Sequence, residues 1–148
     1  MREPAGRPQR AEQLDLQPHP EGGWYRRTWA SPVDVTLPDG RVRPTATLIY
    51  FLLPAGEASA WHTVRSDELW MAHEGSVLLE LGGDGDLPGA GESFVVGLDL
   101  GAGELPQVRV PAGVWQRTVP SGADALVSCL VSPGFDFDDF ALEPARPV

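Results

Sequence analysis

GEASAWHTVRSDELWMAHEG, residues 56 to 75, sets one histidine six positions ahead of one glutamate between two glycines. In an extended chain, side chains two apart share a face, so His62 points with Val64 while Trp61 and Thr63 point the other way. A histidine at 64 would complete a metal clamp with His62; valine stands there instead. After a turn over Val64 to Asp67 the chain extends again, with Glu68, Trp70 and Ala72 on one face and Leu69, Met71 and His73 on the other. His73 is therefore read as a surface or interface residue.

Outward from this hairpin the pattern keeps its rhythm. Pro44 to Leu53, Ser76 to Leu81, Phe94 to Leu98, Gln107 to Val110, Trp115 to Val119 and Leu126 to Val131 read as extended segments. Gly82-Gly83-Asp84-Gly85-Asp86, Gly101-Ala102-Gly103, Pro111-Ala112-Gly113 and Ser121-Gly122-Ala123-Asp124 separate them. Turn signals recur about every ten residues with hardly a helical stretch between, which predicts an antiparallel β-sandwich or barrel. Residues 1 to 11 read as a mobile arm, 12 to 143 as one barrel domain and 144 to 148 as a tail. Ala11 to Leu16 offers one short helical turn, which Pro18 and Pro20 stop.

The layout G-x5-H-x-V-x3-E-x6-G over 56 to 75 resembles the first motif of the cupin superfamily with its second histidine replaced. Pro111-Ala112-Gly113-Val114-Trp115-Gln116 resembles the second, P-x-G-x-x-H, with Gln116 in the place of the last histidine. Three further blocks, PHPEGGWYRRTW (18 to 29), RPTATLIYFLLPAG (43 to 56) and LVSPGFDFDDFAL (130 to 142), are similar to one small subfamily of unknown function, sometimes described as predicted sugar epimerases. The resemblance runs from about Gln13 to Leu142. It implies an all-β double-stranded β-helix, the jelly-roll barrel, that pairs as a homodimer. It also implies that His62, Glu68 and Gln116 sit in the barrel mouth. Members of that subfamily often carry histidine where this chain has Met71, so a candidate ligand or base is missing.

Three readings of the motif compete. His62, Glu68 and Gln116 could hold one divalent ion (Mn, Ni, Zn or Fe), leaving positions open for substrate. Alternatively, His62 and Glu68 form an acid and base pair without metal, as in cupin-type sugar epimerases. In the third, His62 is a satisfied barrel histidine. An inward Glu68 with no partner would cost several kcal/mol, which demands a partner or a water-filled cavity.

Around the motif, Glu21-Gly22-Gly23 allows a tight backbone that could bring Glu21 to the rim. Arg26 and Arg27 fall on opposite faces of one strand; the one that looks inward needs an anion, either a structural carboxylate such as Glu21 or a substrate's acidic group, and Arg26 is the candidate for the substrate contact. Tyr50 and Trp70 complete the candidate substrate contacts, with Trp61 and Trp115 as further aromatic walls or plain core. In the long strand, either Tyr50 or the set Thr47, Ile49 and Phe51 lines the cavity. Phe135 and Phe137 read as inward plugs, with Asp136 and Asp138 turned away. His19, between two prolines, reads as a turn residue, and Cys129 as buried core.

Composition excludes much else. The chain has 21 acids, 11 arginines and no lysine, net charge −10, so nucleic acid is repelled and lysine-based covalent catalysis has no residue to use. No apolar run approaches the ~20 residues of a membrane span. One cysteine and an N-terminal stretch without a signal peptide's apolar core point to a cytoplasmic chain. The functional expectation is an enzyme moving a proton next to a carbonyl of a small sugar-like substrate: an epimerase or isomerase, or a lyase or cyclase. Oxygen-activating iron chemistry lacks its usual donors. A non-catalytic ligand-binding barrel, a sensor or storage-like module, is the alternative from another class.

Overall fold

Two antiparallel sheets stack face to face in the computed structural model, which describes residues 6–144. The larger has six strands in the order β1 (Gln17–Pro18), β2 (Trp24–Ala30), β5 (Thr47–Leu53), β12 (Ala125–Ser132), β7 (Asp67–Glu74) and β10 (Gln107–Val110). The smaller runs β13 (Phe140–Leu142), β6 (His62–Val64), β11 (Gln116–Val119), β8 (Val77–Leu81) and β9 (Ser93–Val96). A separate hairpin joins β3 (Asp34–Thr36) to β4 (Val42–Pro44). Strands distant in sequence lie side by side, as β5 with β12 and β6 with β11, which is the jelly-roll winding the sequence resemblance implies.

The N-terminal expectation needs correcting. Helix α1 covers Gln9–Leu14, so the chain is ordered from inside the stretch assigned to a mobile arm; residues 1–5 and 145–148 lie outside the described residues. Pro8 precedes the helix and Asp15, in the left-handed conformation at φ 56°, ends it. Ala11 and Leu16 are fully buried against Leu52 and Leu126, with Trp24 and Tyr50 alongside. Burial of these apolar groups holds a six-residue helix that propensity alone would not sustain.

The inner face of the large sheet changes character along its length. On β12, Ala125 and Val127 enter the apolar core, while Cys129 and Val131 line a cavity. On β5, Leu53 and Phe51 belong to the core, Ile49 and Thr47 to the cavity; on β7, Trp70 is core and Glu68 cavity. The pairings Val127 with Phe51, Cys129 with both Ile49 and Trp70, and Val131 with both Thr47 and Glu68 hold these steps in register. Val77, Leu79, Val96, Val108 and Val110 pack one end of the barrel shut. The other end stays open.

Candidate active site

The open end holds a cavity of about 420 Å³, within the range of roughly 300–1,000 Å³ usual for small-molecule sites. His62 enters from β6 in the small sheet and Glu68 from β7 in the large one, so they face each other across the barrel rather than from neighbouring strands. Each meets a different first partner from the one expected.

His62 Nε2 lies 2.6 Å from Glu21 Oε2, and its Nδ1 donates to the Ala60 carbonyl at 2.7 Å. Glu21 reaches this depth because the chain folds sharply after it: Gly22 and Gly23 have φ of +107° and +76°. A Cβ at Gly22 would collide with the Ala58 carbonyl, and the Glu21 carbonyl accepts from Ala60 N–H at 2.7 Å. Only glycine permits that approach. Burial works against charge on His62, but the Glu21 carboxylate beside it, aided by Glu68 and the Ala60 carbonyl, lifts its pKa to about 9. The ring is an imidazolium at neutral pH. The Glu21 contact is an ion pair that falls short of hydrogen-bond alignment, and among the described residues Oε2 has no hydrogen-bond partner.

His19 joins the cluster from the same turn. Its Nδ1 accepts the Glu21 backbone N–H at 3.1 Å, which places the neutral ring's proton on Nε2. Burial pushes its pKa down, and the charge on His62 adds to the effect. One imidazole is therefore held neutral and the other charged, on either side of one carboxylate.

Glu68 sits in the opposite wall. Gln116 Nε2 donates to its Oε1 at 2.8 Å, and Trp70 Nε1 donates to Gln116 Oε1 at 2.9 Å. The indole thus fixes which way the amide faces. Burial drives the Glu68 pKa up to about 7, with the Glu21 charge adding to it; His62 and the hydrogen bonds from Gln116 and the Cys129 thiol hold it back. Burial also pushes the Cys129 thiol well above its ordinary value, leaving it a neutral donor.

These contacts decide the metal question for this donor set. Both His62 nitrogens are engaged, Nδ1 by the Ala60 carbonyl and Nε2 by Glu21. Gln116 turns its amide nitrogen, not its oxygen, toward Glu68. Among the described residues, no three His, Cys, Asp or Glu side chains converge in a metal-holding group. His62, Glu68 and Gln116 as arranged do not fit a divalent ion.

Of the candidates named from the sequence, Glu21, His62 and Glu68 line the cavity; the other four do not. Gln116, fully buried, stands behind Glu68, and Trp70 behind Gln116 in the core. Arg26 turns to the outer face, where its Nε donates to the Leu14 carbonyl at 2.7 Å and its guanidinium lies 5.9 Å from the Tyr50 ring. Tyr50 shares that outer face, and Thr47 and Ile49 take the cavity side. Of the two arginines, Arg27 is the one on the cavity wall.

Trp61 lies under Arg117 at 4.6 Å and Trp115 donates to the Gly85 carbonyl, so neither is an aromatic wall of the site. That wall is Tyr25, Phe135, Phe137 and Phe140, whose three phenylalanine rings pack edge to face at 4.9 to 6.0 Å. Asp136, expected to point away, also lines the mouth. The Phe spacing was a usable signal; nothing in the local sequence distinguished Arg27 from Arg26, or marked His19 and Cys129.

The sequence model of a family described as Cupin superfamily (DUF985), Cupin_5, matches residues 9–143. An uncharacterised protein of Saccharomyces cerevisiae, YML079W, is 32% identical over 139 residues, covering 82% of this chain and 67% of the yeast protein. A hypothetical protein from Leishmania major superimposes with a TM-score of 0.80 at 34% identity, over 88% of this chain and 83% of its own. A Shewanella oneidensis protein solved by X-ray crystallography gives 0.76 at 39% identity, over 89% of this chain and 80% of its own. With the motifs, the two-sheet winding and a match spanning nearly its whole length, the chain belongs to the Cupin_5 (DUF985) family of the cupin superfamily.

Proposed function

We propose that this cupin is a small-molecule enzyme that moves a proton at a carbon beside a carbonyl, with Glu68 as the group that takes and returns it. The observation that carries the reading is a carboxyl in a cavity wall whose pKa is raised to about 7, so that acid and base forms are both populated at neutral pH. His62 is not the base in this scheme, because both its nitrogens are occupied. It contributes fixed positive charge, which favours the enolate-like oxyanion that forms when the carbon loses its proton. Gln116 holds the Glu68 carboxyl in one orientation. An isomerase that shifts a proton between neighbouring carbons on one face needs one group that both abstracts and redelivers it, and Glu68 meets that requirement; an epimerase needs in addition an acid on the opposite face.

The test is proton exchange in deuterated water. Sugars and hydroxy acids bearing a carbonyl are incubated with the protein and followed by NMR for replacement of C–H by C–D. Exchange that is present in the native protein and lost in Glu68→Gln supports the reading; exchange unchanged by that substitution ends it. A cavity that binds ligands without exchange would favour the non-catalytic, sensor or storage-like cupin.

We also propose a homodimer through the outer face of the large sheet. Trp29, Leu48, Leu130 and Leu69 pair in register across β2, β5, β12 and β7, an apolar row left partly exposed in the single chain. Light scattering should give twice the chain mass, and Leu130→Arg should give the monomer.

A further inference from the structure

The cavity rim carries a cation that the chain leaves unanswered. Acids outnumber arginines 21 to 11, and every other arginine among the described residues except Arg26 lies beside a carboxylate. Arg26 is engaged by the Leu14 carbonyl and the Tyr50 ring on the outer face. Arg27, exposed on the cavity wall, donates one N–H to the Phe135 carbonyl at 2.9 Å and has no ion-pair partner among the described residues. Asp136 shares the mouth, but its Oδ1 accepts the Asp138 backbone N–H at 2.8 Å. A guanidinium has five donors in a planar fork suited to a carboxylate or phosphate, so most of Arg27's capacity is free.

A second, independent observation lies deeper. Glu21 Oε2 belongs to a side chain only 8% exposed and lines the same cavity, yet has no hydrogen-bond partner among the described residues. Its 2.6 Å contact with the His62 imidazolium answers its charge but leaves a lone pair open, and a cavity ligand that brings a hydroxyl is favoured there. The Phe135, Phe137 and Phe140 rings line the same cavity and suit the C–H face of a sugar or similar ring.

We infer that the ligand is a compact hydroxylated organic acid, its carboxylate or phosphate held by Arg27 at the rim and a hydroxyl donating to Glu21 within. A cavity of about 420 Å³ has room for one such ring. This rests on the proton-transfer reading for which end of the ligand faces Glu68, but it is tested by binding alone.

Binding of glucose, glucuronate and glucose 6-phosphate is measured by calorimetry at low ionic strength, which keeps a rim contact unscreened. The native protein should prefer at least one acid over glucose about tenfold or more; the carboxylate and phosphate arms identify which oxyanion it takes. Arg27→Gln should remove that preference, Arg27→Lys should restore part of it, and Arg26→Gln should leave it intact. Equal binding of glucose and both acids, no binding of either acid at millimolar concentration, or a preference that survives Arg27→Gln would each overturn the inference. Acid binding that depends on Arg27, without any proton exchange, would retire the catalytic reading and leave this one standing.

Discussion

Two buried carboxylates in this barrel have opposite fates. Asp139, in the turn before β13, is gripped by Arg43 at 2.8 and 3.0 Å and by Arg41 at 3.1 Å, and those guanidinium groups hold its carboxyl below the ordinary range. Glu68, as little exposed but set deeper in the barrel, has an amide and a thiol for donors and a second carboxylate nearby, and burial with that neighbour lifts its carboxyl to about 7. Both are buried acids in an arginine-containing, acid-rich chain. The difference teaches that burial alone does not mark function: Asp139 is neutralised and ties the β3–β4 hairpin to the aromatic wall, whereas Glu68 is left able to change its protonation state.

The sharpest way to break that comparison is to remove each acid's charge. Glu68→Gln should lower proton exchange by about 10²- to 10⁴-fold, the usual worth of a general acid or base, with the fold intact by circular dichroism. Its stability should move the other way. Because the Glu68 pKa is higher folded than unfolded, the folded state holds the extra proton, and stability falls as pH rises from about 4.5 to about 7. His62 is also raised, from 6.5 to about 9; its stabilisation is complete below about 6.5 and lost through about 9. Each limb amounts to about 3 kcal/mol. Thermal denaturation against pH should therefore decline from weakly acid to alkaline conditions, and Glu68→Gln should erase the first limb, leaving the variant more stable than the native protein at pH 8 and equal to it near pH 4.

Asp139→Asn should do the opposite at pH 8, costing roughly 1–3 kcal/mol by leaving Arg43 without its anion and Arg41 with Asp39 alone, while exchange per folded molecule stays within a factor of a few. Melting temperatures that moved in the same direction for both substitutions would sink the contrast. The smallest effect belongs to Trp70→Phe, which keeps the packing but frees the Gln116 amide to turn. About 1 kcal/mol of stability and a modest upward move of the acidic limb in the pH profile of exchange are expected.

Much of this was legible before any coordinates. The turn spacing marks the β-sandwich, and alternation along β7 places Glu68 and Trp70 inward and His73 outward, where the imidazole indeed meets Ser128 Oγ at 2.6 Å. Alternation failed on β2 for a physical reason. Its inner face meets the cavity, but its outer face is covered by α1, so Arg26 and Arg27 both have neighbours and the period-two pattern carries no polarity signal. The same ambiguity hid which face of β5 lines the cavity. Cys129 reads as core because the apolar run of β12 continues unchanged past the point where packing ends and the cavity begins.

The family, the jelly-roll winding and the presence of an inward histidine and acid are written in the chain, because those depend on residue spacing along single strands and turns. That His62 pairs with Glu21 rather than Glu68, that Gln116 serves the carboxyl as a donor, and that Arg27 rather than Arg26 looks into the site emerge only on folding. Those outcomes depend on which elements meet across the barrel. Charge and protonation in a buried cavity follow from contacts between residues distant in the chain, and no local pattern encodes them.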